Sequence, residues 1–177
     1  MSRRAGSGPS HDALVAFALE TYGRAGVADS CVLLQDRLGV DVVVLLYAMY
    51  LARHCHVILD DQALQDADTR VANWRREVIA PLRSLRRRIG SVSGVSQAMM
   101  SPTRQRIKEA ELSAEVVAFA LLFRKEDGDL GQRGRATSAP LVSRVARFYG
   151  SQSGNVMTLR DANVKEAITC LTAAFRA

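Results

Sequence analysis

The stretch Val42–Ala52, VVVLLYAMYLA, decides the fold. It is apolar throughout and lies between Asp41 and Arg53. The β-branched opening Val42–Val44 favours a strand. A strand must pair its backbone N–H and C=O groups with a neighbour, however, and the rest of the chain holds no second strand pattern. A helix satisfies its own backbone, and one that is apolar on every side belongs inside a bundle. Asp41 is a suitable N-cap, and the helix is expected to run to about Cys55. The run falls short of the roughly 20 apolar residues that a transmembrane helix needs. The expectation is therefore an all-α protein with no transmembrane segment, a compact bundle of roughly six or seven helices with this one buried at its centre. Sharing of the same apolar helix across a homo-oligomer is the alternative.

Working outward, the remaining sequence reads as helices with caps. Ser10 caps a helix marked by Leu14, Phe17, Ala18 and Thr21 and closed by Gly23. Val27, Cys31, Leu34 and Leu38 mark a second, closed by Gly39. From Asp60 or Asp61 a long helix carries Val71, Trp74, Val78, Leu82, Leu85 and Ile89 as one stripe. Pro81 predicts a kink or a split in it. After a Ser/Gly-rich connection over 90–101, Ser101-Pro102 opens a helix to about Lys125. Helices over 141–149 and 159–175 follow. The organisation expected is a disordered lead at 1–9, a helical core at 10–126, a flexible linker at 127–140, and a C-terminal helical pair at 141–177 packed on the core.

The net charge of +6 is concentrated. Residues 1–69 carry five Lys/Arg against nine Asp/Glu, residues 70–108 ten against one, and residues 109–177 nine against eight. Much of the middle excess lies in Trp74–Gly90, WRREVIAPLRSLRRRIG. At about 100° per residue from Val71, Arg76, Arg83 and Arg87 form a row opposite the apolar stripe. Arg75 and Arg86 fall on its border, where their stems can pack while the guanidinium reaches outward. On the next helix Glu111 and Glu115 lie between two apolar sectors. Half-buried carboxylates need partners, and Arg75, Arg83 and Arg86 are the nearest candidates in sequence.

No motif announces catalysis. Cys31, Cys55 and Cys170 form no close pair and read as free thiols of a reducing cytoplasm, which sets the expected location. His54 and His56 flank Cys55; on a helix they diverge by about 200° and cannot share an ion, and only past a helix end could they do so. That cluster reads as a polar helix end. Glu-x-x-His pairs, Gly-rich phosphate loops and nucleophile elbows are lacking from the sequence. No catalytic residue, metal or cofactor is expected.

Three strings, LQDRLGVDV, WRREVIAPLRSLRRRI and KEAELSAE, in this order and spacing, resemble a bacterial family of small helical proteins known only as conserved and of unknown function. The resemblance covers residues 12–123 and implies a bacterial cytoplasmic all-α protein, with no activity or site residues to carry over. The functional expectation is a non-catalytic binding or adaptor protein whose Arg76, Arg83 and Arg87 contact an anionic macromolecular partner, a protein foremost. The alternatives are a small anionic ligand, or a substrate, in a cleft lined by Arg75, Arg83, Arg86, Glu111 and Glu115, and sequence-independent nucleic-acid binding. The last is poorly served by an aromatic content of 6%.

Overall fold

The structure, a computed structural model, describes residues 10–124 and 138–176. Among them every regular element is helical: α1 (His11–Tyr22), α2 (Val27–Leu38), α3 (Val42–Tyr50), α4 (Asp61–Trp74), α5 (Ala80–Ile89), α6 (Gln97–Leu122), α7 (Ser138–Gln152) and α8 (Ala162–Arg176). A wide π turn at Arg75–Ile79 joins α4 to α5 without a break, so the described residues form seven helices. A second such turn, Leu51–Cys55, extends α3.

The apolar run is a helix at the centre of the core. Every residue from Val43 to Tyr50 is buried. Its exposed backbone donors are met at the start, where Asp41 Oδ1 accepts from the N–H groups of Val43 and Val44 at 2.8 and 3.1 Å. Around it pack Leu14 of α1, Leu34 of α2, Leu64 of α4, Leu122 of α6 and Val142 of α7, and Leu171 of α8, which packs on α2 and α7, belongs to the same buried cluster. Ser10 caps α1 by accepting from Ala13 N at 3.1 Å. Gly39 closes α2 with φ 74°, a left-handed conformation that costs glycine nothing. Gly26 opens α2 at φ 76°, and a Cβ there would lie 3.1 Å from Cys170 Sγ of α8.

The wide turn changes what α5 presents. Ala80 N–H bonds back five residues to Arg75 O, so one extra residue is spent in the turn. Everything after it is rotated by about 100° from an uninterrupted helix. Leu85, expected on the apolar stripe, is 43% exposed, and no residue of α5 is buried. The widening lies just ahead of Pro81, where it opens the turn that the proline ring would otherwise crowd, and the helix is not split there.

Three boundaries differ from the sequence expectation. α6 starts at Gln97 rather than at Pro102, because Ser96 accepts from Met99 N and supplies the cap, leaving Pro102 inside the helix. α7 already includes Ser138–Pro140, the end of the expected linker. α8 begins at Ala162 because Asp161 caps it, accepting from Asn163 N at 2.9 Å, and a short 3-10 turn, Val156–Arg160, precedes it. The expected lead at 1–9 and the linker residues 127–137 lie outside the described residues. No helix among the described residues is long and apolar enough to cross a membrane.

The register of α5 is testable by truncation. Leu45→Ala, at a site with no exposure, should cost about 2–5 kcal/mol in urea unfolding. Leu85→Ala should stay within about 0.5 kcal/mol of the parent. A Leu85→Ala cost comparable to that of Leu45→Ala would mean that α5 keeps its ordinary phase.

Candidate functional site

The rotation of α5 swings two arginines onto α6. Arg83 donates from Nε to Glu111 Oε1 at 2.8 Å, from Nη2 to Glu115 Oε1 at 2.9 Å, and from Nη1 to Gln35 Oε1 of α2 at 2.7 Å. Arg86 Nε donates to Glu111 Oε2 at 2.5 Å. Both oxygens of Glu111, whose residue is only 5% exposed, are thereby met by guanidinium groups. Burial alone would raise the Glu111 carboxyl; the hydrogen bonds from Arg86 and Arg83 outweigh it and hold the group below its ordinary range. Glu115 goes the other way: burial raises it, and Arg83 offsets this only in part. The two glutamates and two arginines cancel in charge and brace α6 against α5.

Arg75 serves a different network. Its Nη1 donates to Asp41 Oδ2 at 2.6 Å and to Asp68 Oδ1 at 2.7 Å, and Tyr149 OH of α7 donates to the same Asp68 oxygen at 2.7 Å. Burial pushes the Tyr149 hydroxyl far up, and Asp41 and Asp68 add to it, so it remains a donor. The pairing of Arg75 with Glu111 or Glu115 expected from sequence is thus corrected. Arg75 stands at the start of the wide turn, keeps the phase of α4, and faces α3 and α7. Arg83 and Arg86 come after the turn and face α6.

The outward row of Arg76, Arg83 and Arg87 is corrected for the same reason, since its members stand on either side of the phase change. Arg76 is exposed and bonds Glu77 at 2.8 Å and Asn73 at 2.6 Å. Arg83 points inward. Arg87 reaches Asp36 of α2 at 3.2 Å, with both side chains about half exposed.

Above the Arg83–Glu111 network lies a cleft of about 520 Å³ bounded by α1, α2, the start of α3, α5 and α6. Val43, Leu46 and Phe119 give it an apolar floor. Leu19, Tyr22, Val32 and Leu112 line its sides and remain 37–62% exposed, and Arg87 and Lys108 stand at the rim. The volume falls within the usual range of about 300–1,000 Å³ for small-molecule sites. Tyr22, Gln35 and Lys108 were not singled out from sequence, and Leu112 and Phe119 were read there only as part of an apolar sector beside Glu111 and Glu115. Lys108, Leu112, Glu115 and Phe119 do recur at helical spacing, and that was the available signal.

The histidine–cysteine cluster does not join this site. His54 packs its ring 4.9 Å from that of Tyr50 and 5.5 Å from that of Phe17, and burial, with Arg53 beside it, lowers its pKa. Cys31 and Cys55 are buried free thiols, and burial pushes the Cys31 thiol up to about 12. Among the described residues no group of three or more His, Cys, Asp or Glu side chains is placed to hold a metal ion.

The model of a family described as a protein of unknown function (DUF2390) matches residues 13–122. The chain belongs to this family. The matched span contains every wall of the cleft and, apart from Tyr149, both arginine networks, so the family's shared region holds the whole cleft. No curated protein and no solved structure matches the chain.

Arg83→Ala should destabilise the protein by about 3–5 kcal/mol, because it leaves Glu111 with Arg86 alone and takes from Glu115 the guanidinium it pairs with. Arg76→Ala should fall within about 0.5 kcal/mol of the parent. The acid limb offers a second check. Glu111 has a lowered pKa, so its contribution is present above the ordinary value of 4.5 and is lost as pH falls through the lowered one. Glu111→Gln should therefore be less stable at neutral pH, and its stability should fall less on acidification. Parallel pH profiles for parent and variant would contradict the pairing.

Proposed function

We propose that this protein acts by binding, and that its cleft takes a small amphipathic anion. The apolar body of the ligand lies on Val43, Leu46 and Phe119, and its carboxylate or phosphate meets Arg87 and Lys108 at the rim. The observation that carries this reading is the pairing of a largely apolar cleft with cations of unequal commitment. Arg83 and Arg86 are spent on Glu111 and Glu115. Lys108 has no ion-pair partner among the described residues, and Arg87 holds only a half-exposed Asp36. A ligand anion that draws Arg87 from Asp36 gains a charge-assisted hydrogen bond at the edge of an apolar surface. A few convergent polar groups on an apolar lining are the usual composition of a small-molecule site.

The reading of an anionic macromolecule on Arg76, Arg83 and Arg87 draws less support. Only Arg76 and Arg87 of that set face solvent, on either side of the phase change. Nucleic acid is served less well still, since no aromatic residue occurs between Trp74 and Phe119 to stack on bases.

Titration calorimetry with dodecanoate and dodecyl phosphate, with dodecanol as the neutral control, tests the proposal. Both anions are expected to bind more tightly than dodecanol. Combining Arg87→Ala with Lys108→Ala should weaken the anions by about tenfold or more and leave dodecanol unchanged. Absence of binding at about 1 mM ligand, or equal affinity of parent and double variant for the anions, would overturn it.

A further inference from the structure

α5 and α6 run antiparallel, and only the inner half of this hairpin is tied to the body. There Arg83 and Arg86 meet Glu111 and Glu115. Further out, the first half of α6 is bare. From Gln97 to Ala110 only Met100 is buried and Ile107 half-buried, and every other residue is exposed. The two legs are held to each other near the end, where Gln97 Nε2 donates to Gly90 O at 3.2 Å.

This projecting end has one sign of charge. No Asp or Glu occurs from Val78 to Lys108. Arg88, Arg104 and Arg106 are exposed and have no ion-pair partner among the described residues. Between them stand exposed apolar side chains: Val92 at 48%, Val95 at 40% and Met99 at 73%. The tip is open, since a Cβ added at Gly94 would meet nothing within 4 Å. On α6 Met99 and Arg106 are seven residues apart and share a face.

The geometry points to a membrane-contact finger: the end of the α5–α6 hairpin docks on an anionic lipid surface. Val92, Val95 and Met99 enter the boundary between headgroups and acyl chains, and Arg88, Arg104 and Arg106 lie against the phosphates. Basic residues near such a surface each strengthen attachment by about fivefold, and inserted apolar side chains add to this. Arginine stems suit the position, because they cover apolar surface while the guanidinium stays at the headgroups. Nucleic-acid phosphates would use the same cations and would gain nothing from uncovered Val92, Val95 and Met99.

Co-sedimentation of the full chain with vesicles tests this, and the variants spare Arg87 and Lys108, so failure here and failure of the cleft reading are distinguishable. The chain should sediment with equimolar phosphatidylglycerol and phosphatidylcholine and not with phosphatidylcholine alone. Binding should weaken between about 50 mM and about 500 mM salt. Combined Arg88→Glu, Arg104→Glu and Arg106→Glu should weaken it by at least about tenfold. Combined Val92→Ser, Val95→Ser and Met99→Ser should weaken it by about fivefold. All six positions are exposed, and circular dichroism should show both variants folded. A parent chain that stays in the supernatant with the phosphatidylglycerol vesicles would overturn the inference. So would vesicle binding that the serine triple variant leaves unchanged while a mixed oligonucleotide pool displaces the protein.

Discussion

One oxygen of the Asp41 carboxylate caps the buried helix α3, and the other takes the Arg75 guanidinium. The first contact lets a wholly apolar helix begin inside the protein without orphaned N–H groups. A carboxylate is also the right charge for the positive end of a helix. The second contact joins α3 to the long α4–α5 helix, and through Asp68 and Tyr149 the same network reaches α7. Pieces far apart in sequence are thereby held in one arrangement. Breaking such a buried network by removing one partner leaves an uncompensated charge, which costs far more than an exposed ion pair does.

The wide turn that follows Arg75 sorts the arginines. Before it, Arg75 points into the body. After it, Arg83 and Arg86 brace α6, Arg87 reaches the rim of the cleft, and Arg88 is carried out on the hairpin. A single straight helix would instead have set Arg76, Arg83 and Arg87 in one row on the outside. What sequence counting reads as one basic face is therefore divided among three settings: internal bracing, a cleft rim and an exposed finger. Membership in a family of unknown function adds no chemistry to these settings, but its matched region covers them all.

The all-α fold was legible because it rests on local rules. An apolar run with no pairing partner must be a helix, and Ser10, Asp41 and Gly39 act where capping preferences place them. The site was harder to read. Phase counting assumes an unbroken helical period, and the extra residue in Arg75–Ile79 leaves no mark in composition or spacing. Beyond it Leu85 turned outward and Arg83 left the outward row, whereas Arg86 still met Glu111 and Leu82 stayed half-buried against the core. Of the partners of Arg75, Asp41 was missed for another reason, since it is far away in sequence and only tertiary packing brings it near; Asp68, seven residues back on the same helix face, was within reach of helical counting. Of the cleft, the polar wall of Arg83, Arg86, Glu111 and Glu115 was legible, whereas Arg75 does not line it, and the apolar floor from α3 and α6 and the sides from α1 and α2 come together only in the tertiary fold.

A double-mutant cycle between Asp41 and Arg75 tests whether this pair couples the buried helix to the arginine helix. Asparagine caps helices about as well as aspartate, so Asp41→Asn keeps the cap of α3 and removes the charge. Arg75→Met removes the guanidinium and keeps an apolar stem. Urea unfolding of the parent, the two single variants and the double variant gives the coupling energy. The account predicts a coupling of about 1.5 kcal/mol or more, with the double variant less destabilised than the sum of the singles. Additivity within about 0.5 kcal/mol would contradict it, and the buried helix would then not depend on the arginine helix through this pair.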